Sequence, residues 1–480
     1  MNAPEIIQGG MGIGVSNWRL ARAVAQTGQL GVVSGAGINT ILLRRLQQGD
    51  PDGASRRAMS HFPFPEVAQR VLEEYFVEGG VPAGKPYKRC SLFTAQNNHR
   101  LNQLTVLASF VEVFLAKEGH SGLVGINFLE KFQLSNLPGL YGAMLAGVHY
   151  VLMGAGIPRE IPGVLDAFCT HQTASLKVFV KGAEAGNEVR VTFDPQATFS
   201  GAFPPLTRPD FLPIIASATL AQHLLQKATG SIQGFVIEGP TAGGHNAPPR
   251  GKLQLNDQGE PVYGPKDEVD LEKIRELGLP FWLAGGFASP ERLREAQSKG
   301  ASGIQVGTAF AFCQESGFTD DIKSAAIQKW GMGREETPVF TDPAASPTGF
   351  PFKVAPMEST LSTSSLYEAR PRKCDLGYLR EVCAGSQGAL IYRCPGEPVD
   401  RFIKKEGTVQ ETVGRKCLCN ALFAAVGQGQ HQEDGYTELP LVTAGDDLVN
   451  LKRFFASSEN SYSAQALVGY LLGAKPLTAA

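Results

Sequence analysis

The fold of this chain is decided by the stretch Gly234-Phe-Val-Ile-Glu-Gly-Pro-Thr-Ala-Gly-Gly-His-Asn246. The apolar run from Phe235 to Ile237 indicates a buried strand. It ends in a loop with Glu238, three glycines and His245. Glycines in such a loop allow a phosphate or a ring to approach backbone N–H groups. His245 is the best candidate in the chain for an acid/base residue, because imidazole titrates near neutral pH.

The composition is that of a soluble globular enzyme. The 480 residues are 43% hydrophobic and 19% charged, with a formal net charge of −2, which argues against a nucleic-acid or anionic-membrane surface. No apolar run approaches the roughly 18–20 residues that span a bilayer. The N-terminal residues do not resemble a signal peptide, so we expect a cytoplasmic protein. Its eight cysteines would then be reduced thiols, metal ligands or reactive groups.

Short apolar runs alternate with helix-length amphipathic segments along the first 330 residues. The quoted stretch is the sixth of eight predicted strands, and a polar excursion at 184–209 and a helix at 211–228 precede it. The predicted strands lie at 6–11, 30–37, 123–129, 150–156, 175–182, 234–238, 280–286 and 303–308.

Near-continuous apolar strands separated by helices indicate parallel pairing with both sheet faces covered. Eight such units predict an α/β fold, a (β/α)8 TIM barrel, and the alternative is an open doubly wound sheet. Residues 39–100 form a predicted insertion after strand 2. The alternation stops near residue 345, so we expect a barrel at 1–345 and a cysteine-containing C-terminal extension at 346–480 packed on it.

Two glycine-rich strand ends predict an anion site. Ala284-Gly-Gly and Gln305-Val-Gly-Thr close strands 7 and 8, where the C-terminal rim of a barrel commonly binds phosphate. The hydroxyl of Thr308 would add a donor. Alternatively, these glycines only form tight turns.

Five sequence motifs together resemble those of a known family. The motifs Gln8-Gly-Gly-Met-Gly, Val124-Gly-Ile-Asn-Phe, Glu238-Gly-Pro-Thr-Ala-Gly-Gly-His, Ala284-Gly-Gly and Gln305-Val-Gly-Thr are similar to those of the nitronate monooxygenases, formerly called 2-nitropropane dioxygenases. That family shares its fold with the FMN-dependent enoyl-acyl-carrier-protein reductases. The resemblance covers roughly residues 4–315 and implies a flavoprotein with non-covalent FMN.

The resemblance also implies roles for single residues. His245 matches the histidine that acts as a base or proton donor. The cofactor-binding residues would be Gly10 and Met11 against the isoalloxazine, Asn127 at the ring or ribityl region, Glu238 and Gly243 beside the flavin, and Gly285, Gly286, Gln305, Val306, Gly307 and Thr308 around the phosphate.

Some features depart from the family pattern. Thr241 stands where the family usually has Glu, and Glu238 stands where monooxygenases often have Gln and the reductases often have Glu. Lys177 and Lys181 alternate with apolar residues on predicted strand 5, so both side chains could point into the barrel. There they would either stabilise an anionic reduced flavin or form an internal ion pair.

Five cysteines fall within residues 374–419, namely Cys374, Cys383, Cys394, Cys417 and Cys419. Zinc and iron–sulfur clusters each need about four such ligands. No Cys-x2-Cys pair is present, so the spacing is also compatible with ordinary reduced thiols, and we assign no metal ligands.

The predicted function is FMN-dependent oxidation of a nitronate or related carbon acid by O2, with His245 as acid/base. The alternative is an NAD(P)H-dependent enoyl-thioester reductase, and a third hypothesis is a non-catalytic partner protein of a biosynthetic cluster. The expected partners are a small-molecule or acyl-thioester substrate and O2 or NAD(P)H, without nucleic acid or membrane.

Overall fold

The computed structural model describes residues 3–184, 186–331, 338–386, 388–454 and 461–474. Within them the strands are β1 (Ile6–Gln8), β2 (Gly31–Ser34), β3 (Val124–Leu129), β4 (Tyr150–Gly154), β5 (Ala174–Val178), β6 (Val180–Lys181), β7 (Val189–Phe193), β8 (Asp210–Ile215), β9 (Phe235–Glu238), β10 (Phe281–Ala284), β11 (Gly303–Val306), β12 (Phe340–Asp342), β13 (Phe352–Val354), β14 (Glu381–Ala384) and β15 (Leu390–Arg393).

The α-helices of the same residues separate these strands. They are α1 (Trp18–Ala25), α2 (Ile38–Gln47), α3 (Ala54–Met59), α4 (Pro65–Tyr75), α5 (His99–Lys117), α6 (Gln133–Leu145), α7 (Ile161–Cys169), α8 (Pro195–Thr198), α9 (Ala218–Lys227), α10 (Leu271–Arg275), α11 (Pro290–Ser298), α12 (Thr308–Ala311), α13 (Asp320–Ala326), α14 (Ser364–Ala369), α15 (Val399–Lys404), α16 (Val409–Thr412), α17 (Leu418–Ala425) and α18 (Ala464–Leu471). No helix of the described residues is long and apolar enough to cross a bilayer.

Eight parallel strands form one sheet in the order β1-β11-β10-β9-β8-β4-β3-β2. A parallel bridge between Ile7 and Leu30 joins the two edge strands. The Gln8 N–H donates to Leu30 O at 2.9 Å, and the Leu30 N–H donates to Ile6 O at 3.1 Å. The sheet therefore closes into a (β/α)8 barrel, and the prediction of a TIM barrel rather than an open sheet is confirmed.

The barrel has an apolar interior because alternate strand residues point inward. These residues are fully or almost fully buried and form one cluster of Ile7, Leu30, Val32, Leu123, Leu152, Leu212, Val236, Trp282 and Ala284. A filled interior leaves the C-terminal rim as the place for a site.

The predicted fifth strand at 175–182 is wrong. The fifth barrel strand is β8, which lies at the start of the predicted helix at 211–228, and only α9 is helical there. β8 is a nearly continuous buried run, as a parallel strand covered on both faces requires. β5 instead alternates buried and exposed residues and pairs antiparallel with β7 outside the barrel.

The expectation that Lys177 and Lys181 point into the barrel is therefore also wrong. The Lys177 Nζ lies 3.1 Å from a carboxylate oxygen of Glu188. The Lys181 Nζ lies 2.7 Å from Glu411 and 3.3 Å from Glu381. Both ammonium groups form exposed ion pairs on the outer surface, where they cannot act on a bound flavin.

The residues after the barrel strands return to its C-terminal rim. The antiparallel pair β12–β13 spans the predicted boundary at residue 345. β13 reaches the His245 loop, where the Asn246 N–H donates to Pro351 O at 3.0 Å. In the 39–100 segment, α2, α3 and α4 pack against α5. The division into residues 1–345 and 346–480 stays a prediction.

Candidate active site

A cavity of about 500 Å³ opens at the C-terminal ends of the barrel strands. The loops that follow β1, β4, β8, β9, β10 and β11 form its floor and sides, because parallel strands bring their carboxyl ends to one rim. All twelve predicted site residues line it. They are Gly10, Met11, Asn127, Glu238, Gly243, His245, Gly285, Gly286, Gln305, Val306, Gly307 and Thr308.

Two glycine positions in the cavity wall leave no room for a side chain. A Cβ on Gly10 would overlap the side chain of Asn127, whose Nδ2 donates to Gly10 O at 3.1 Å. Gly285 has a φ of +93°, and a Cβ there would lie 2.7 Å from the Thr241 hydroxyl oxygen. Close packing within the cavity wall therefore requires glycine at both places.

Three buried acceptor atoms of the cavity residues lack a hydrogen-bond partner. They are Asn127 Oδ1, Asn246 Oδ1 and Gln305 Oε1. An unsatisfied buried acceptor costs roughly 1–3 kcal/mol, so such atoms call for a ligand or water donor. These residues suit a ligand that presents several N–H or O–H groups.

His245 is held by the segment that precedes β13. Its Nε2 lies 2.7 Å from Ser346 Oγ, and its ring packs edge-on against Phe352 with a centroid distance of 4.9 Å. Burial lowers the pKa of His245 to about 4, and the charge of Lys131 acts in the same direction. The imidazole is therefore neutral at pH 7, and its Nδ1 is left for chemistry because Ser346 engages Nε2.

Glu238 is the last residue of β9, and His245 lies in the loop that follows it. Burial raises its pKa to about 8. The carboxyl group is therefore mostly protonated at pH 7 and can donate a hydrogen bond as well as accept one. The site thus holds a neutral base and a neutral acid. Strongly shifted pKa values of this kind are often found at functional sites.

Residues 191–337, which contain β8 to β11 and the His245 loop, match the family model described as nitronate monooxygenase. A "probable nitronate monooxygenase" of Staphylococcus haemolyticus is 29% identical over 133 residues, which are 28% of this chain and 36% of that protein. This part of the barrel therefore resembles the nitronate monooxygenases.

Two further proteins resemble this chain. The (3aS,4S,5R,7aS)-5-hydroxy-7a-methyl-1-oxo-octahydro-1H-indene-4-carboxyl-CoA dehydrogenase of Mycobacterium tuberculosis is 28% identical over 115 residues, or 24% of this chain and 29% of that protein. The matches span about a third of the length of the sequence relatives. The solved structure of FabK from Thermotoga maritima is 14% identical, covers 98% of this chain and 92% of that chain, and has a TM-score of 0.47.

The residues after 345 add a wall to the cavity that the sequence motifs do not indicate. No sequence pattern marks Ser346 as a site residue, because a serine in a Pro/Ser/Gly-rich segment is ordinary. Its contact with His245 joins residues 101 positions apart. Apolar side chains close the cavity on the same side, namely Phe350, Phe352, Leu379, Leu418 and Leu422.

Four of the five clustered cysteines come together in the residues after 345, and one of them, Cys419, lines the cavity. The Cys374 and Cys394 thiols hydrogen-bond, and Cys417 and Cys419 interact electrostatically with both. Burial raises the pKa of Cys417 to about 11. Cys383 lies apart on β14. Among the described residues, no group of three or more His, Cys, Asp or Glu side chains is arranged to hold a metal ion.

Proposed function

We propose that this chain is an FMN-dependent oxidoreductase that oxidises a nitronate or related carbon acid with O2. The observation that carries the proposal is that twelve residues, selected by motif from distant parts of the chain, line one cavity. The three unpaired acceptors suit a cofactor with several polar edges. The similarity of residues 191–337 to the nitronate monooxygenases supports the reaction class.

The chain's own residues would hold the cofactor in two places. Gly10, Met11 and Asn127 would lie against the ring system, with Asn127 Oδ1 as an acceptor for a ring or ribityl donor. The phosphate would be bound by backbone N–H groups of the loops after β10 and β11 and by Thr308. FMN would supply the electron-accepting step when bound.

The protein's task is then to move one proton and to exclude water. A nitronate has already lost the proton of its reacting carbon. Its parent nitroalkane, or another neutral carbon acid, must still lose that proton, and a neutral imidazole can accept it at Nδ1. Ser346 fixes the ring through Nε2, and Glu238 in its neutral form can donate a hydrogen bond to a developing anion. The apolar wall formed by Phe350, Leu418 and their neighbours limits solvent access.

The first test is the visible spectrum of the purified protein and its titration with FMN. We expect flavin absorbance, or uptake of one FMN per chain. A protein that neither carries nor takes up flavin would refute the proposal.

The second test replaces the candidate base. His245→Ala should lower turnover of nitroethane with O2 by about 100-fold, in the range of general-base contributions, while FMN stays bound. His171→Ala is the matched control. His171 also forms a hydrogen bond, with Tyr141 at 2.8 Å, but it does not line the cavity. Equal turnover in the two variants would contradict the role of His245.

A second candidate function is an NAD(P)H-dependent enoyl-thioester reductase. The observations that favour it are Glu238 at the end of β9, the apolar wall, and a relative whose name denotes a carboxyl-CoA dehydrogenase. Anaerobic mixing distinguishes the two functions. Rapid flavin bleaching by NAD(P)H supports the reductase, whereas bleaching by ethylnitronate but not by NAD(P)H supports the monooxygenase.

A further inference from the structure

Residues 443–447, here called the clasp, lie against the end of the cavity that is lined by Gly285, Gly286 and residues 305–308. They come from the extension, more than 100 residues after the segment that matches the family model. The clasp forms three hydrogen bonds with the loops that follow β9 and β11. The Gly244 N–H donates to Thr443 Oγ1 at 2.9 Å, and the Gly445 N–H donates to Thr308 Oγ1 at 2.8 Å. The Asp446 N–H donates to Thr241 O at 3.0 Å.

The contact is too close to be incidental. A Cβ on Gly445 would lie 2.7 Å from Thr241 O and 3.1 Å from Thr308 Oγ1. A Cβ on Gly243 would lie 2.8 Å from Gly445 N. The two backbones therefore pack directly on each other, and the clasp is part of the cavity wall rather than a segment that covers it loosely.

The clasp places a carboxylate in this wall. Asp447 lines the cavity, and its Oδ2 accepts a hydrogen bond from the Ala288 N–H at 3.3 Å. Ala288 lies two residues after Gly286 in the loop that follows β10. The other oxygen, Oδ1, accepts from Asn450 Nδ2 at 2.8 Å. Within the described part of the chain, no Lys or Arg forms an ion pair with Asp447.

We propose that Asp447 is a built-in competitor of the cofactor phosphate, so that the clasp weakens the binding of phosphate-bearing flavins and permits their exchange. This inference rests on the proposed FMN site. Asp447 accepts from the Ala288 N–H, two residues beyond Gly286, at the end of the cavity where the phosphate would be bound. Two anions held close together repel each other.

The test is the ratio of the dissociation constants of riboflavin and FMN, because the two flavins differ only in the phosphate. Flavin-free protein is titrated with each, following flavin fluorescence. Asp447→Asn keeps an oxygen for the Ala288 N–H but removes the charge. We expect it to bind FMN about ten-fold more tightly with unchanged riboflavin affinity, so that the ratio rises about ten-fold.

Two matched variants separate local charge from other effects. Asp447→Glu keeps the charge and should leave the ratio within about two-fold of wild type. Glu291→Gln removes the same charge from the first turn of α11, near Ala288 but outside the cavity, and should also leave the ratio unchanged. Thermal unfolding of each variant verifies that it is folded.

The outcomes distinguish this inference from the proposed function. If FMN binds but Asp447→Asn and Glu291→Gln give the wild-type ratio, the competitor role of Asp447 is refuted while the FMN site stands. If neither flavin binds wild type or Asp447→Asn, the proposed function fails, and the inference fails with it. A raised ratio in Asp447→Asn alone supports the inference.

Discussion

Glu238→Gln offers a direct measurement of how strongly the cavity desolvates its acid. Burial raises the pKa of Glu238 from the ordinary 4.5 to about 8 in the folded, flavin-free protein. Glutamine has nearly the same shape and no titration. Any pH-dependent difference in unfolding free energy between wild type and this variant therefore reports on the one carboxyl group.

The sign follows from proton binding. Below pH 4.5 the carboxyl is protonated in both the folded and the unfolded state, so it contributes no pH dependence. Between about pH 4.5 and 8 the unfolded state loses the proton while the folded state keeps it, so wild-type stability falls as pH rises. Each pH unit in this window costs about 1.4 kcal/mol, which amounts to about 3 kcal/mol at pH 7.

The assay is urea unfolding of flavin-free protein at pH 5, 6, 7 and 8, with the free energy of unfolding extrapolated to water. We expect the stability of Glu238→Gln relative to wild type to increase steadily over this series. Glu276→Gln, at an exposed position after α10, is the control and should give a constant difference. A constant difference for Glu238→Gln as well would show that the cavity does not hold a neutral Glu238.

Three further predictions concern other residues of the chain. Ser346→Ala removes the partner of His245 Nε2, so turnover of nitroethane should fall about ten-fold while Ser346→Thr retains most of it; equal rates for the two variants would contradict a positioning role for the hydroxyl. Gly10→Ala should prevent FMN uptake because the new Cβ would overlap Asn127, and a wild-type flavin content in the purified variant would argue against this site. Lys181→Ala should change stability by no more than about 1 kcal/mol and leave turnover and the flavin potential as in wild type, and a shifted potential would show that the surface placement is wrong.

The strand count and the rim loops were predictable because both depend on local patterns. A barrel strand buried on both faces is a nearly continuous apolar run, and seven such runs coincide with β1 to β4 and β9 to β11. The glycines and His245 follow these runs directly. Closure of the barrel then brings every strand end to one rim, whatever the lengths of the connecting segments.

The fifth strand shows where this reasoning fails. The segment 175–182 has the length and β-branched content of a strand, and it does form strands, but both lie outside the barrel. Lys177 belongs to β5, which pairs with β7, and Lys181 belongs to β6, which pairs with β14. The real fifth strand, β8, lies directly before α9, so the two together have the length of a helix, although Pro213 inside β8 disfavours one. The two segments differ in pattern, because polar and apolar residues alternate in 175–182 whereas β8 is a nearly continuous apolar run.

The sequence by itself determined a (β/α)8 barrel and the residues that would meet at its rim, because buried strands and the loops at their ends can be recognised from consecutive residues. Only the tertiary structure decided which groups surround them. Ser346 reaches His245 and Asp447 reaches Ala288 across more than 100 residues of chain. Neither contact has a local pattern, because packing of the extension on the barrel, rather than any propensity of its residues, brings these groups together. The pKa values of Glu238 and His245 arise in the same way, since burial sets them and burial is a property of the closed cavity.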